Sequence, residues 1–280
     1  MPDIASTKRK PWSREELLLV MHLYCRIPFG RQHSRAPEVI ALARVLRRTP
    51  SSVAMKLNNF TTLDPEEAAR GVRGLTSASN LDRQIWGEFH ADWEKLAEES
   101  EVLWRFKVEA PAHGYSSGEP RGAVLSRNFE PRVGKVSTPK NEPSGPTEDE
   151  RTVKIRLAQD FFRRTVLTAY SMRCCISGIP IPELLIASHI LPWNNFPEHR
   201  INPRNGLCLS RLHDAAFDQG LITFDEENCL VLSHELKDYL PQDSLDQNFA
   251  AFEGHPIHLP EKFLPEPEFL CHHREQIFRG

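Results

Sequence analysis

The chain lacks what would mark it for a membrane, an oxidising compartment or a repeat architecture. No stretch of its 280 residues approaches the roughly 18 consecutive apolar residues that a helical membrane span needs. No segment repeats at a fixed period, which argues against a solenoid or propeller. The opening MPDIASTKRKPW is basic but is followed by no apolar h-region, so no secretory signal is expected. With six cysteines and no export signal, a reducing cytoplasm is the expected setting and disulfides are not. Cys174 and Cys175 are adjacent, while Cys208 and Cys229 stand alone. That is not the paired spacing of a four-ligand zinc site, and no structural zinc is expected.

Nor is there a strong overall charge, the formal net value being −3. What is present is unevenly spread. Residues 1–60 hold 11 Lys and Arg against four acids, a local +7 on a mildly acidic protein. A concentrated basic segment of this kind fits a polyanion partner. With 40% apolar and 26% charged residues there is material for a sizeable core, and the length fits two domains.

Three regions are expected: a helical one over 1–107, a flexible linker over 108–150, and a mixed α and β one over 151–280. Residues 109–150 carry six prolines and five glycines among 42, too little apolar surface to order themselves. In the first region Ser13 and Glu16 form a capping box ahead of Leu17, Leu18, Met21 and Tyr24. A second helix is expected from near Pro37. A third has Thr49 as N-cap and Pro50 in its first turn. Two short helices joined by a tight basic turn resemble a helix-turn-helix. On that reading Ser51, Ser52 and Lys56 face a DNA groove, and Arg44, Arg47 and Arg48 lie near phosphates. A longer helix should follow from Ser79 or Asn80.

The third region opens with a helix, VKIRLAQDFFRRTVLTAY. Two short strands are then expected around a Gly/Pro turn at Ser177–Pro182, with His189 ending the second. A loop with Asn205, a short helix with His213 and Asp214, and a second hairpin (Leu221–Phe224, Leu230–Ser233) complete the order. Alone, His189 reads as a core histidine at the end of an apolar run. Its neighbours change that. Cys174, Gly178, SHI-x-PW (Ser188–Trp193), NGL-x-L (Asn205–Leu209) and LH-x-x-x-FD-x-G (Leu212–Gly220) lie in one order at fixed gaps. This pattern resembles the HNH endonuclease family, over about residues 160–235.

The resemblance implies an α+β chain with a C-terminal ββα-metal nuclease domain behind the helical one. It implies His189 as general base, Asn205 as the residue that orients it, and His213 as a metal ligand. Many relatives carry an acid or histidine just before the base; here Ser188 stands there. Asp218 is the candidate second ligand, with Ser188, Asp214 and water as alternatives. A hard ion that keeps several waters, Mg²⁺ or Mn²⁺, suits so sparse a set. His199, His234, His255, His258, His272 and His273 have no such context and are expected at the surface. The expected activity is metal-dependent cleavage of double-stranded DNA by a homodimer. Restriction or phage defence is its setting, with action on modified DNA as a variant. Two rivals stay open: an effector nuclease switched by a protein or small-molecule signal, and an inactive DNA-binding regulator.

Overall fold

The helical caps written into the sequence are where the chain turns. In the computed structural model, which describes residues 10–71, 78–109 and 148–280, helix α1 (Arg14–Arg26) begins at the Ser13–Glu16 capping box. Helix α2 (Pro37–Leu46) ends at Arg47, whose φ of 53° turns the chain into α3 (Pro50–Leu63), capped by Thr49. A short α4 (Pro65–Ala69) precedes α5 (Asn80–Ala91), which Ser79 caps. The long helix expected here is two. Asp92 leaves helical geometry and caps α6 (Trp93–Trp104) by accepting from the Lys95 amide at 3.0 Å. An aspartate near a helix end offers the backbone this alternative partner.

Helix α7 (Glu148–Ala169) joins the two halves. It packs on α1 and α6 on one side and on the small sheet on the other. Most of the expected linker, residues 110–147, lies outside the described residues. The halves share one core: the Phe161 ring of α7 sits 5.6 Å from His22 and 6.5 Å from Phe89. The C-terminal segment reaches back as well. Lys262 donates to the carbonyls of Tyr24 and Ile27, and its ammonium sits 4.3 Å over the Tyr24 ring.

The first hairpin differs from expectation. No strand forms before the Gly/Pro turn; Ser171 and Met172 have positive φ, and the chain turns through Cys174 and Cys175. Strand β1 (Leu185–His189) pairs instead with β2 (Gly206–Ser210), antiparallel, with His189 opposite Gly206. Cys175 docks on that sheet by donating its amide to the Cys208 carbonyl at 2.7 Å. Ser210 then caps α8 (Arg211–Asp218), which packs across β1 and β2. The second hairpin, β3 (Ile222–Phe224) with β4 (Leu230–Leu232), forms as expected. Helices α9 (His234–Lys237) and α10 (Asp243–Asn248) follow, and α11 (Pro267–Gln276) packs on β3. Among the described residues no helix is long and apolar enough to cross a membrane.

Candidate active site

A cleft opens where β1 ends over α8. Ser188, His189, Trp193, Asp214, Asp218 and His273 are among the residues that line it. The His189 ring is clamped flat on Phe162, with centroids 4.1 Å apart and planes 8° apart, and meets Trp193 edge-on at 5.2 Å. Its Nε2–H donates to the Arg200 carbonyl at 2.9 Å. With that nitrogen carrying the proton, the neutral ring keeps its lone pair on Nδ1. Burial pushes the pKa of His189 below the ordinary imidazole value, against opposing contributions from the Arg200 carbonyl and the Asp214 charge. The ring is therefore neutral at pH 7, the form that can accept a proton.

Gly206 explains part of this geometry. It lies across the sheet from His189, and a Cβ there would overlap Val166 and crowd Phe162, the ring on which His189 rests. Asn205 is buried and ties the loop between the strands. Its Oδ1 accepts from the Leu191 amide at 2.7 Å, its Nδ2 donates to the His199 carbonyl at 3.1 Å, and its own carbonyl accepts from Ile190 at 3.0 Å. The next residue after His199 is Arg200, so fixing this loop fixes the carbonyl that holds His189.

The metal-ligand expectation for His213 requires correction. The side chain is 1% exposed and turns away from the cleft. Its Nε2 donates to the Asn248 carbonyl at 2.8 Å, while the Ser210 hydroxyl and the Cys174 sulfur lie 2.8 and 3.5 Å from Nδ1. Neither nitrogen is left for a metal. The pair is electrostatically coupled. Burial pushes the Cys174 thiol up, but hydrogen bonds from His213 and Ser177 outweigh it and bring the pKa to about 6. The face of α8 that meets the cleft carries Asp214 and Asp218, four residues apart. Burial raises Asp214, and burial together with the Asp214 charge raises Asp218 to about 6. Ser188 is buried; its hydroxyl is close enough to hold the Asp214 carboxyl down somewhat, yet makes no hydrogen bond of normal geometry.

Two carboxylates on one helix face, Asp214 disfavoured as an anion by burial and Asp218 by burial and by Asp214, are groups a divalent cation would stabilise. Among the described residues no three His, Cys, Asp or Glu side chains cluster as a metal cage. The oxygen-only pair suits a hard ion completed by water and substrate oxygens. The i, i+4 spacing of Asp214 and Asp218 was the sequence signal for this face. The contribution of His273 had none. Far from lying at the surface, it is 1% exposed, stacks on Phe217 at 3.7 Å, and bonds Thr223 Oγ1 at 2.9 Å and the Phe217 carbonyl at 3.1 Å.

The helix-turn-helix reading is only partly matched. Arg44, Arg47 and Ser51 are exposed around the α2–α3 turn. Ser52 is half-buried and donates to the Thr49 carbonyl at 2.9 Å. Lys56 is buried, 2.9 Å from both oxygens of Asp82. Arg48 stacks 4.5 Å over Trp12, pairs with Glu16 at 2.7 Å and donates to the carbonyls of Lys10 and Pro11. Those two cations are spent inside the protein and do not face DNA.

Residues 174–225 match the family model described as HNH endonuclease, and this segment is an HNH domain. It places a nuclease acting on nucleic acid in the C-terminal half, of a family that uses divalent metal ions. Comparison with curated proteins gave no match.

Proposed function

We propose that the chain is an endonuclease that hydrolyses phosphodiester bonds of double-stranded DNA, with His189 as general base and Asp214 and Asp218 as the protein ligands of Mg²⁺ or Mn²⁺. The observation that carries this reading is the state of His189. Its Nε2–H is held by a main-chain carbonyl, which leaves the Nδ1 lone pair, and it shares a cleft with two carboxylates. His189 Nδ1 takes a proton from the attacking water as the water oxygen bonds to phosphorus and the bond to the 3′ oxygen breaks. Held by Asp214 and Asp218, a divalent ion would supply Lewis-acid stabilisation of the charge that develops as the bond to the 3′ oxygen breaks. Asn205 acts at one remove, by fixing the loop whose Arg200 carbonyl selects the His189 tautomer. Phe162 and Trp193 hold the ring so that little reorganisation accompanies proton transfer.

Each site cuts one strand, so a homodimer would account for double-strand cleavage. The exposed Arg44, Arg47 and Ser51 around the α2–α3 turn give the helical half a surface for the duplex backbone. Restriction or phage defence, with action on modified DNA as a variant, is the setting in which a nuclease coupled to such a surface is useful. The decisive test is nicking of supercoiled plasmid with Mg²⁺ or Mn²⁺ by wild type and His189→Ala. The variant should remain folded and cleave at least about 100-fold more slowly. Cleavage at the wild-type rate would remove His189 from the mechanism.

A further inference from the structure

The loop that holds His189 also carries a cation that the mechanism above leaves unused. Arg200 is half-buried and does not itself line the cleft, but it packs on Trp193, which does. Its Nε–H donates to the Trp193 carbonyl at 2.7 Å, and its guanidinium lies 5.1 Å over the Trp193 ring. That same ring meets His189 edge-on, and the Arg200 carbonyl accepts from His189. The guanidinium is therefore fixed at both its stem and its face, one aromatic ring away from the candidate base. Among the described residues, its two terminal nitrogens bond to no protein group. Arg163, Arg204 and Arg274 differ: Arg163 donates to the Leu185 and Pro182 carbonyls, Arg204 pairs with Glu266, and Arg274 donates to the Phe224 carbonyl. Arg211 on α8 also donates only through Nε, to the Glu183 carbonyl at 3.3 Å, but it is exposed and, among the described residues, stacks on no ring.

We propose that Arg200 is the phosphate clamp of the cleft, gripping a phosphodiester of the strand to be cut through its two terminal amino groups. A planar fork held by stacking, with its outer donors free, matches two phosphate oxygens and loses little freedom on binding them. The need for it follows from the site itself. Until a metal neutralises them, Asp214 and Asp218 repel a polyanion, and a fixed cation on the same side of the molecule favours an entering strand. Because the clamp and the tautomer-selecting carbonyl belong to one residue, a strand gripped by the side chain is registered against His189. The proposal rests on the nuclease reading for its substrate.

The test uses full-length Arg200→Gln and Arg200→Lys. Binding of a short DNA duplex without divalent metal is followed over a range of salt, and single-turnover cleavage is followed with Mg²⁺ or Mn²⁺. Arg200→Gln should bind and cleave on the order of tenfold to hundredfold less well, and its log-affinity against log-salt slope should be shallower by about one. Arg200→Lys should restore the slope but only part of the affinity, since it keeps the charge and loses the fork. The pH profile of cleavage should not move in either variant, because every residue at 200 retains the carbonyl that holds His189. Wild-type affinity and slope in Arg200→Gln would overturn the proposal. So would a shifted pH profile or lowered melting temperature accompanying the loss, which would make Arg200 a support of the loop. If wild type itself cut nothing, the nuclease reading would fall while the binding measurement still decided the role of Arg200.

Discussion

In the helical half, buried charge is answered by opposite charge. Lys56 meets both oxygens of Asp82, Arg48 meets Glu16, and Glu101, fully buried, is shared by Arg26 and by Arg105 at 3.2 Å. In the cleft of the nuclease half, Asp214 and Asp218 share the space with His189, and both hold their protons more tightly than free carboxylates do. Paired buried charges leave nothing over for a ligand. Carboxylates that no cation meets at hydrogen-bond distance leave room for a ligand of opposite charge.

That contrast can be broken from the helical side first. Lys56→Met leaves Asp82 buried with Asn59 and Ser79 as partners but no cation. A loss of about 3–5 kcal/mol is expected in urea unfolding, with the DNA salt slope of the surviving protein unchanged. Arg47→Ala, at an exposed position, should do the reverse, lowering the slope by about one with little effect on stability. A stable Lys56→Met with weakened DNA binding would return Lys56 to the interface.

A second test concerns protons. Burial of this α11 residue against Phe217 and Thr223 lowers the pKa of His273 to about 4, whereas in the unfolded chain it titrates near 6.5. Between those values the unfolded state binds the extra proton, so stability is full above about pH 6.5 and falls as pH drops towards 4. The contribution is roughly 1–3 kcal/mol by pH 4, and His273→Gln should flatten that part of the curve. An unaltered pH dependence in the variant would assign the acid loss elsewhere, with His22, also lowered well below its ordinary value by burial, the next residue to examine.

The smallest effect has the opposite sign to the first. Asp218→Asn removes one of two like charges, so the metal-free protein should gain about 0.5 kcal/mol at neutral pH, a modest gain because water screens a carboxylate partly open to the cleft. Its melting temperature should no longer rise with added Mn²⁺, as it should in wild type. A Mn²⁺ response kept by Asp218→Asn would take this side chain out of the metal site.

Local features were legible because they depend on near neighbours. The Ser13–Glu16 box, Thr49–Pro50 and Pro37 fixed helix starts through bonds spanning three residues. Asn205 was legible for its place but not its means, since its bonds to Leu191 and His199 close a loop whose shape no periodicity encodes. The strand expected before Ser177 failed because strand pairing is settled by a distant partner, and β1 found β2 across the loop. His213 failed for a rotational reason: on α8 it lies beside Asp214, but about 100° around the axis, which turns it to Asn248 and Cys174 and leaves the cleft to the aspartates.

The sequence by itself determined where helices begin, that an HNH-like pattern lies within about residues 160–235, and that His189 and Asn205 sit within it. Only the tertiary structure decided which charges are available. Arg48 and Lys56 look as free in the sequence as Arg44 and Arg47, and become ion-paired only because α1 and α5 bring Glu16 and Asp82 against them. Asp214 and Asp218 look like ordinary helix-surface acids, and become a candidate cation site only because β1 carries His189 over the same face. Charge is a property of the residue; whether it is spent or free depends on what the fold places within a few ångströms of it.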